Sequence, residues 1–234
     1  MTSSNVVTAS SVFETMLIGD TYKIDENKIK KIIPGIDKKI FIPDSSVEKE
    51  NIILSIGRIQ KQKGQIQTLE FLNNFKKIEK DFKCYFIGGP SGKNGNEYLN
   101  ELKQSVEEFN LNTHVEFLDN LPQTEIIDLF KKAKLMIHTS QFETFGLVAI
   151  EANAMGVPVL TTNNGSLMEI IENNKNGYLS DSLLDGNVNN FVNNLFNDNA
   201  KYEEISSSCI EKSKKYDWVK TTNELESLYK QLVR

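Results

Sequence analysis

The sequence predicts an α/β fold built on a doubly wound parallel sheet. From residue 51 onward, apolar runs of strand length alternate with amphipathic segments of helix length, the pattern of parallel βαβ units. The runs read as strands covered on both faces. No internal repeat or heptad run competes with this reading. In such sheets ligands bind beyond the carboxyl ends of the strands.

Residues 1–45 stand apart from the alternation. There "NVVTAS" reads as a strand, "SVFETMLIG" as a short helix and "KIKKIIPGIDKKIFIP" as a connecting segment. The stretch is too short for a core of its own, so it is expected to pack on the main domain or on something outside this chain. "NIILSIG" (51–57) is a buried strand. A helix over 65–80 follows, with Ile66, Leu69, Leu72, Phe75 and Ile78 at helical spacing. "KCYFIGG" (83–89) is the second strand, and helix 96–109 carries Leu99, Leu102, Val106 and Phe109. Strand "HVEFL", a helix over 122–132 opening at Pro122 and strand "LMIHTS" (135–140) come next. The helix over 145–155 ends at Gly156, a C′ glycine, with Pro158 beyond it. Strand "VPVLTT", a helix over 166–173 and a short strand "GYLS" follow, and helices over 187–197, 200–214 and 217–233 close the sequence.

With 234 residues, 39% hydrophobic and 25% charged, the chain has an ordinary globular composition and room for a real core. A net charge of −5 gives no bulk electrostatic reason to expect nucleic acid or an anionic membrane as partner. Cys84 and Cys209 form no motif, and Cys84 lies in an apolar run as a small core residue does. With no basic n-region after Met1 and no long apolar stretch, this points to a reducing, cytoplasmic setting. Of 27 basic residues only Arg58 and Arg234 are arginine.

Three turns follow predicted strands. In "GRIQKQKG" (57–64), Gly57 permits an unusual turn and Gly64 opens a helix. Arg58 leaves the strand's carboxyl end, and Lys63 sits beside the helix N-terminus, where a lysine opposes the dipole unless an anion lies between. The segment reads either as a lysine-rich surface turn or as a diphosphate site, and the lone internal arginine favours the second, because a forked guanidinium grips phosphate. In "FETFGLVAIEANAMG" (142–156), Glu143 precedes the helix and Glu151 lies within it. The residues one turn from Glu151 are Leu147, Val148, Ala154 and Met155, all apolar, so its carboxylate is expected to be buried. It needs either a structural partner, such as a lysine or backbone amides, or a ligand with paired hydroxyls such as a ribose. "FGL" supplies unpaired helix-start amides, suited to an anion or hydroxyl. "IGGPSG" and "TTNNGSLMEII" read as turns, with Glu169 near a helix start where the dipole favours an acid. His114 and His138 read as satisfied, half-buried histidines, and no metal-ligand cluster is apparent.

Taken together, "IPGID", "LSIGRIQKQKG", "FIGGPSG", "VEFLDNLPQTEIIDLFKKA", "SQFETFGLVAIEANAMGVPVLTTNNGSLMEII", "NGYL" and "YDWVKTTNELESLYKQL" are collinear from about residue 30 onward. This series resembles the C-terminal, donor-binding half of retaining GT-B glycosyltransferases of the family 4 type, glycosyl transferases group 1. The resemblance implies a Rossmann-like, doubly wound nucleotide-sugar domain over 46–214. Residues 1–45 would be a remnant of an N-terminal domain with its connection, and 215–234 a closing helix that braces that domain. By the same resemblance, Arg58 and Lys63 would bind the donor's diphosphate and stabilise the leaving group. Glu143 would contact the sugar hydroxyls near the reacting carbon. Glu151 would hold the ribose, and the Phe145, Gly146 and Leu147 amides would contact sugar and phosphate. The base would pack near Leu118 and Leu121. The implied donor is a nucleoside-diphosphate sugar such as a UDP-sugar, with no cofactor and no metal, positive side chains neutralising the departing diphosphate.

Two departures stand out. Asn164-Gly165 replaces a common Gly-Gly pair, and the family's acceptor-binding domain with its cleft histidine is not matched; neither His114 nor His138 corresponds to it. The chain is therefore expected to be a piece of a longer enzyme or one subunit of a split one, with the acceptor and any peripheral membrane association belonging to the other part. A non-catalytic partner subunit is the alternative, and an epimerase or phosphorylase on the same fold a third reading.

Overall fold

The computed structural model describes residues 4–233, so Arg234 and the first three residues lie outside it. Eight strands and nine α-helices are formed among the described residues. The chain opens with β1 (Val7–Ala9), α1 (Val12–Tyr22) and β2 (Ile29–Lys31), then enters the main domain. There β3 (Glu50–Ile56), β4 (Lys83–Ile87), β5 (Val115–Leu118), β6 (Ala133–His138), β7 (Val159–Thr162) and β8 (Gly177–Ser180) alternate with α2 (Gln65–Phe75), α3 (Gly95–Glu108), α4 (Gln123–Lys132), α5 (Leu147–Ala154) and α6 (Leu167–Ile170). The last three helices are α7 (Gly186–Asn197), α8 (Asn199–Ser213) and α9 (Trp218–Leu232).

The six main strands are all parallel, in the order β5-β4-β3-β6-β7-β8. The order reverses between β3 and β6, which makes their carboxyl ends the topological switch point. Successive side chains of a strand face opposite ways. Accordingly Ile53, Leu135, Ile137 and Leu160 enter one core with α2, α3, α7 and α8, while Ile52, Leu54, Met136 and Val159 enter a second core with α4 and α5. Two cores explain why the strands read as continuous apolar runs. Every residue of β6 is buried, including Lys134, whose Nζ donates to Phe196 O at 3.0 Å.

Several predicted boundaries move, each for a local reason. The helix expected over 65–80 stops at Phe75; a turn follows, and Ile78 is exposed rather than part of the apolar face. The helix expected over 166–173 is one turn long. The buried side chain of Asn176 donates to Ile170 O (2.9 Å) and accepts from Glu172 N (2.8 Å), drawing that backbone away from helical pairing. The helix expected over 145–155 begins at Leu147, because Gly146 lies in the left-handed region at φ 92°. Gly156, at φ 71°, takes the expected C′ position. The connecting segment contains β2, a strand the sequence reading did not resolve, paired parallel with β1.

The amino-terminal elements meet the start of α9. Thr221 Oγ1 donates to Ile33 O (2.7 Å), Lys38 pairs with Asp217 (2.9 Å), and Ile36 bridges to Asp217. Asp217 caps α9 by accepting from Val219 N at 2.8 Å. No helix among the described residues is long and apolar enough to cross a membrane.

Candidate functional site

The site is built on the loops that leave β3 and β6. Gly57 follows β3 and donates its N–H to Ile87 O at 2.9 Å. Arg58 follows; its carbonyl accepts from Gln65 Nε2 (2.9 Å), and its exposed side chain joins no ion pair among the described residues. A 3-10 turn, Lys61–Lys63, leads to Gly64 and α2. The end of β6 fastens this loop: Thr139 Oγ1 donates to Gly64 O (2.8 Å), and Gln141 N donates to Gln62 O (2.8 Å).

That fastening brings Lys63 onto Glu143. Lys63 Nζ lies 2.9 Å from Glu143 Oε2, and His138 Nε2 lies 3.1 Å from the same oxygen. An ionised carboxylate only accepts, so the imidazole donates through Nε2. Burial pushes the Glu143 carboxyl up, but the hydrogen bonds and charges of His138 and Lys63 outweigh it and hold the group at about 2. Lys63, beside the start of α2, thus has an anionic partner within the protein in Glu143. The Glu143 backbone is fixed as well, its carbonyl accepting from Ser166 N at 3.1 Å and Ser166 Oγ at 3.2 Å. Here the Asn164-Gly165 turn matters. A Cβ on Gly165 (φ 63°) would stand 2.3 Å from Glu143 O, whereas Asn164 has no positive φ and its amide donates to Thr162 Oγ1 at 3.1 Å. Only the second position needs glycine.

Glu151 lies on the second turn of α5 in a different setting. Leu147, one turn before it, is exposed, while Ala154 and Met155 are buried. Burial alone raises the Glu151 carboxyl, with no donor or cation offsetting it. The structural partner that the sequence left open is not supplied by the described residues. At the start of the same helix, the Phe145, Gly146 and Leu147 amides meet no backbone acceptor among the described residues. The Phe145 ring itself is buried edge-on against Tyr216, at 6.0 Å between centroids, so only its backbone is available to a ligand. Leu118 and Leu121 are half-buried on the α4–α5 side of the sheet.

His114 is satisfied structurally, with Nε2 3.1 Å from Lys80 O and its ring against Phe82. His138 is also satisfied, but by Glu143, which makes it a member of the site that sequence reasoning passed over. The available signal was its position at the end of the strand whose loop carries Glu143. Among the described residues no three His, Cys, Asp or Glu side chains cluster as a metal site.

Fold and site together define a doubly wound α/β domain that presents an exposed guanidinium, free helix-start amides and an unpartnered carboxylate at its switch point. The chain belongs to the glycosyl transferases group 1 family, whose sequence profile matches residues 37–216. It is 26% identical over 243 aligned residues to a D-inositol 3-phosphate glycosyltransferase of Corynebacterium urealyticum, covering 98% of this chain and 57% of that relative. The chain therefore spans a little over half the length of such a relative. Its fold matches the Anabaena protein HepE (Alr3699), solved with UDP and glucose, at a TM-score of 0.86 and 22% identity, over 97% of this chain and 63% of the other. It also matches the C-terminal domain of a glycosyl transferase group 1 family protein, LpcC, from Francisella tularensis. That match has a TM-score of 0.68 and 25% identity, over 78% of this chain and 99% of the other.

Proposed function

We propose that this chain binds a nucleoside-diphosphate sugar and serves the transfer of that sugar to an acceptor. The observation that carries the reading is Glu151, a half-buried carboxylate whose burial no protein donor offsets. Two vicinal hydroxyls of a ribose supply the donors it lacks, and their hydrogen bonds to the charged form recover part of its desolvation cost. Arg58 takes the diphosphate through its fork. Lys63 keeps two of its three N–H donors beyond the one on Glu143 and adds positive charge where the leaving diphosphate develops negative charge. These two side chains supply what a divalent cation supplies in metal-dependent transferases. Glu143, ionised and fixed by Lys63 and His138, accepts from hydroxyls of the sugar near the reacting carbon. The free amides of Phe145, Gly146 and Leu147 bind sugar or phosphate oxygens. The base packs near Leu118 and Leu121.

On this reading residues 46–214 are the donor domain, and 1–45 with 215–234 face an acceptor-binding part in a further domain or partner subunit. Anomeric configuration is retained, as the family resemblance implies. The setting is cytoplasmic, in keeping with free, buried Cys84 and Cys209. The test is thermal unfolding with UDP-, GDP- and ADP-sugars. One of them at a hundredfold excess over its Kd stabilises the folded chain by about 2.7 kcal/mol. For 234 residues that raises Tm by roughly 5–10 °C. Absence of a shift with every one of these donors overturns the proposal. A non-catalytic partner subunit is distinguished by an activity, measured in complex with its transferase, that survives Arg58→Ala.

A further inference from the structure

The loop that carries Glu143 is held at two consecutive carbonyls by two different helices. Glu143 O is bound by Ser166, the residue before α6. Thr144 O accepts from Ser11 Oγ at 2.7 Å. Ser11 is buried and is the N-cap of α1, so its oxygen also accepts from Glu14 N at 2.9 Å. With its lone pair on the helix amide, the hydroxyl directs its hydrogen at Thr144.

Glu169 of α6 closes the circuit. Its two carboxylate oxygens accept from Val12 N (3.0 Å) and Phe13 N (2.9 Å), the first two amides of α1. Those are orphan donors at the positive end of a helix, where a carboxylate is favoured. Glu169 lies in the first turn of its own helix, as expected, and in addition caps a helix 156 residues away in sequence. Phe13 adds an edge-on contact to Phe142, at 5.7 Å between centroids. Helix α1 has no fully buried residue, so these contacts at its end tie it to the loop.

We propose that Ser11 and Glu169 are positioning residues for Glu143, and that α1 thereby controls how the site receives the sugar half of its ligand. The loop's carbonyls set where the Glu143 carboxylate meets Lys63 and His138. Arg58 and Glu151 stand outside the circuit. Loosening it therefore weakens recognition of the sugar more than the Arg58 and Glu151 contacts to diphosphate and ribose. The ligand arm of this inference rests on the donor-binding reading; the structural arm does not.

Both arms are tested on the whole chain. The two histidines give an internal control in the ligand-free state, since His138 touches Glu143 and His114 lies against Phe82 and Lys80. In imidazole NMR spectra, Ser11→Ala and Glu169→Ala shift the His138 signals and leave those of His114 unchanged, and Ser11→Thr, which keeps the hydroxyl, restores His138. Calorimetric titration then compares UDP with UDP-glucose. The alanine variants lose about tenfold in affinity for UDP-glucose and less than about twofold for UDP. Unchanged His138 signals in both folded alanine variants overturn the inference, as does an equal loss of both ligands. Failure of the wild-type chain to bind either ligand counts against a uridine donor, and the His138 spectra then decide this inference alone.

Discussion

Glu143 and Glu151 follow the same strand, on a loop and on the helix after it, yet their surroundings differ in kind. Around Glu143 the protein completes the electrostatics: a lysine and a histidine share one oxygen, and burial is outweighed. Around Glu151 burial stands alone. Where a carboxylate must hold one geometry, the chain supplies the counter-charge. Where, on the proposed reading, a ligand completes the site, the chain leaves the desolvation cost in place. The two glutamates should then respond to pH and mutation with opposite signs.

The largest effect is expected at Glu143. Its folded value of about 2 lies below the unfolded 4.5, so its contribution of about 3 kcal/mol is fully present above pH 4.5 and lost as pH falls towards 2. Glu143→Gln should remove that part of the acid limb, as read by denaturant unfolding at pH 7 and pH 3. Lys63→Met, which strands a mostly buried carboxylate with histidine alone, should cost about 2–3 kcal/mol at pH 7. If Glu143→Gln keeps the wild-type acid slope, the pairing does not stabilise and the comparison breaks.

A smaller effect of opposite sign is expected at Glu151. Burial raises its folded value above the unfolded 4.5, so its ionisation destabilises the native chain once pH rises through that range. Glu151→Gln should gain about 1 kcal/mol at pH 7 and nothing at pH 4, while losing the nucleotide-sugar shift. A loss of stability at pH 7 would mean that the carboxylate has a protein partner after all. Arg58→Ala should change ligand-free stability least, by no more than about 0.5 kcal/mol, since the side chain is exposed and unpaired. Its effect belongs to the ligand: roughly a hundredfold weaker binding of the donor that shifts Tm, by titration.

The parallel sheet was legible because two cores force apolar residues onto both faces of every strand, and nothing in a turn can imitate that. Helix ends were less legible, because some are set at a distance. The stop after Ile170 belongs to Asn176, and the first two amides of α1 are held by Glu169. The strand β2 is three residues long with two exposed lysines, too short to carry a pattern. At the site, Arg58 and Glu151 stood out by being out of place, one as a solitary arginine and the other as an acid among apolar neighbours. His138 did not, because its partner is fixed only when the loop after β6 folds back over the strand end. Local spacing could also not say whether the protein supplies a partner to Glu151; that needed the full three-dimensional surroundings.

The seam between the amino-terminal elements and α9 has an optical consequence. Trp218 is the only tryptophan of the chain, and it is the first residue of α9, directly after the Asp217 that Ile36 and Lys38 engage. Intrinsic tryptophan emission therefore reports on that seam, whereas far-ultraviolet dichroism reports on the sheet and its helices together. If the two unfolding curves coincide, seam and sheet melt as one cooperative unit; if emission changes first, α9 leaves its contacts while the sheet is still folded.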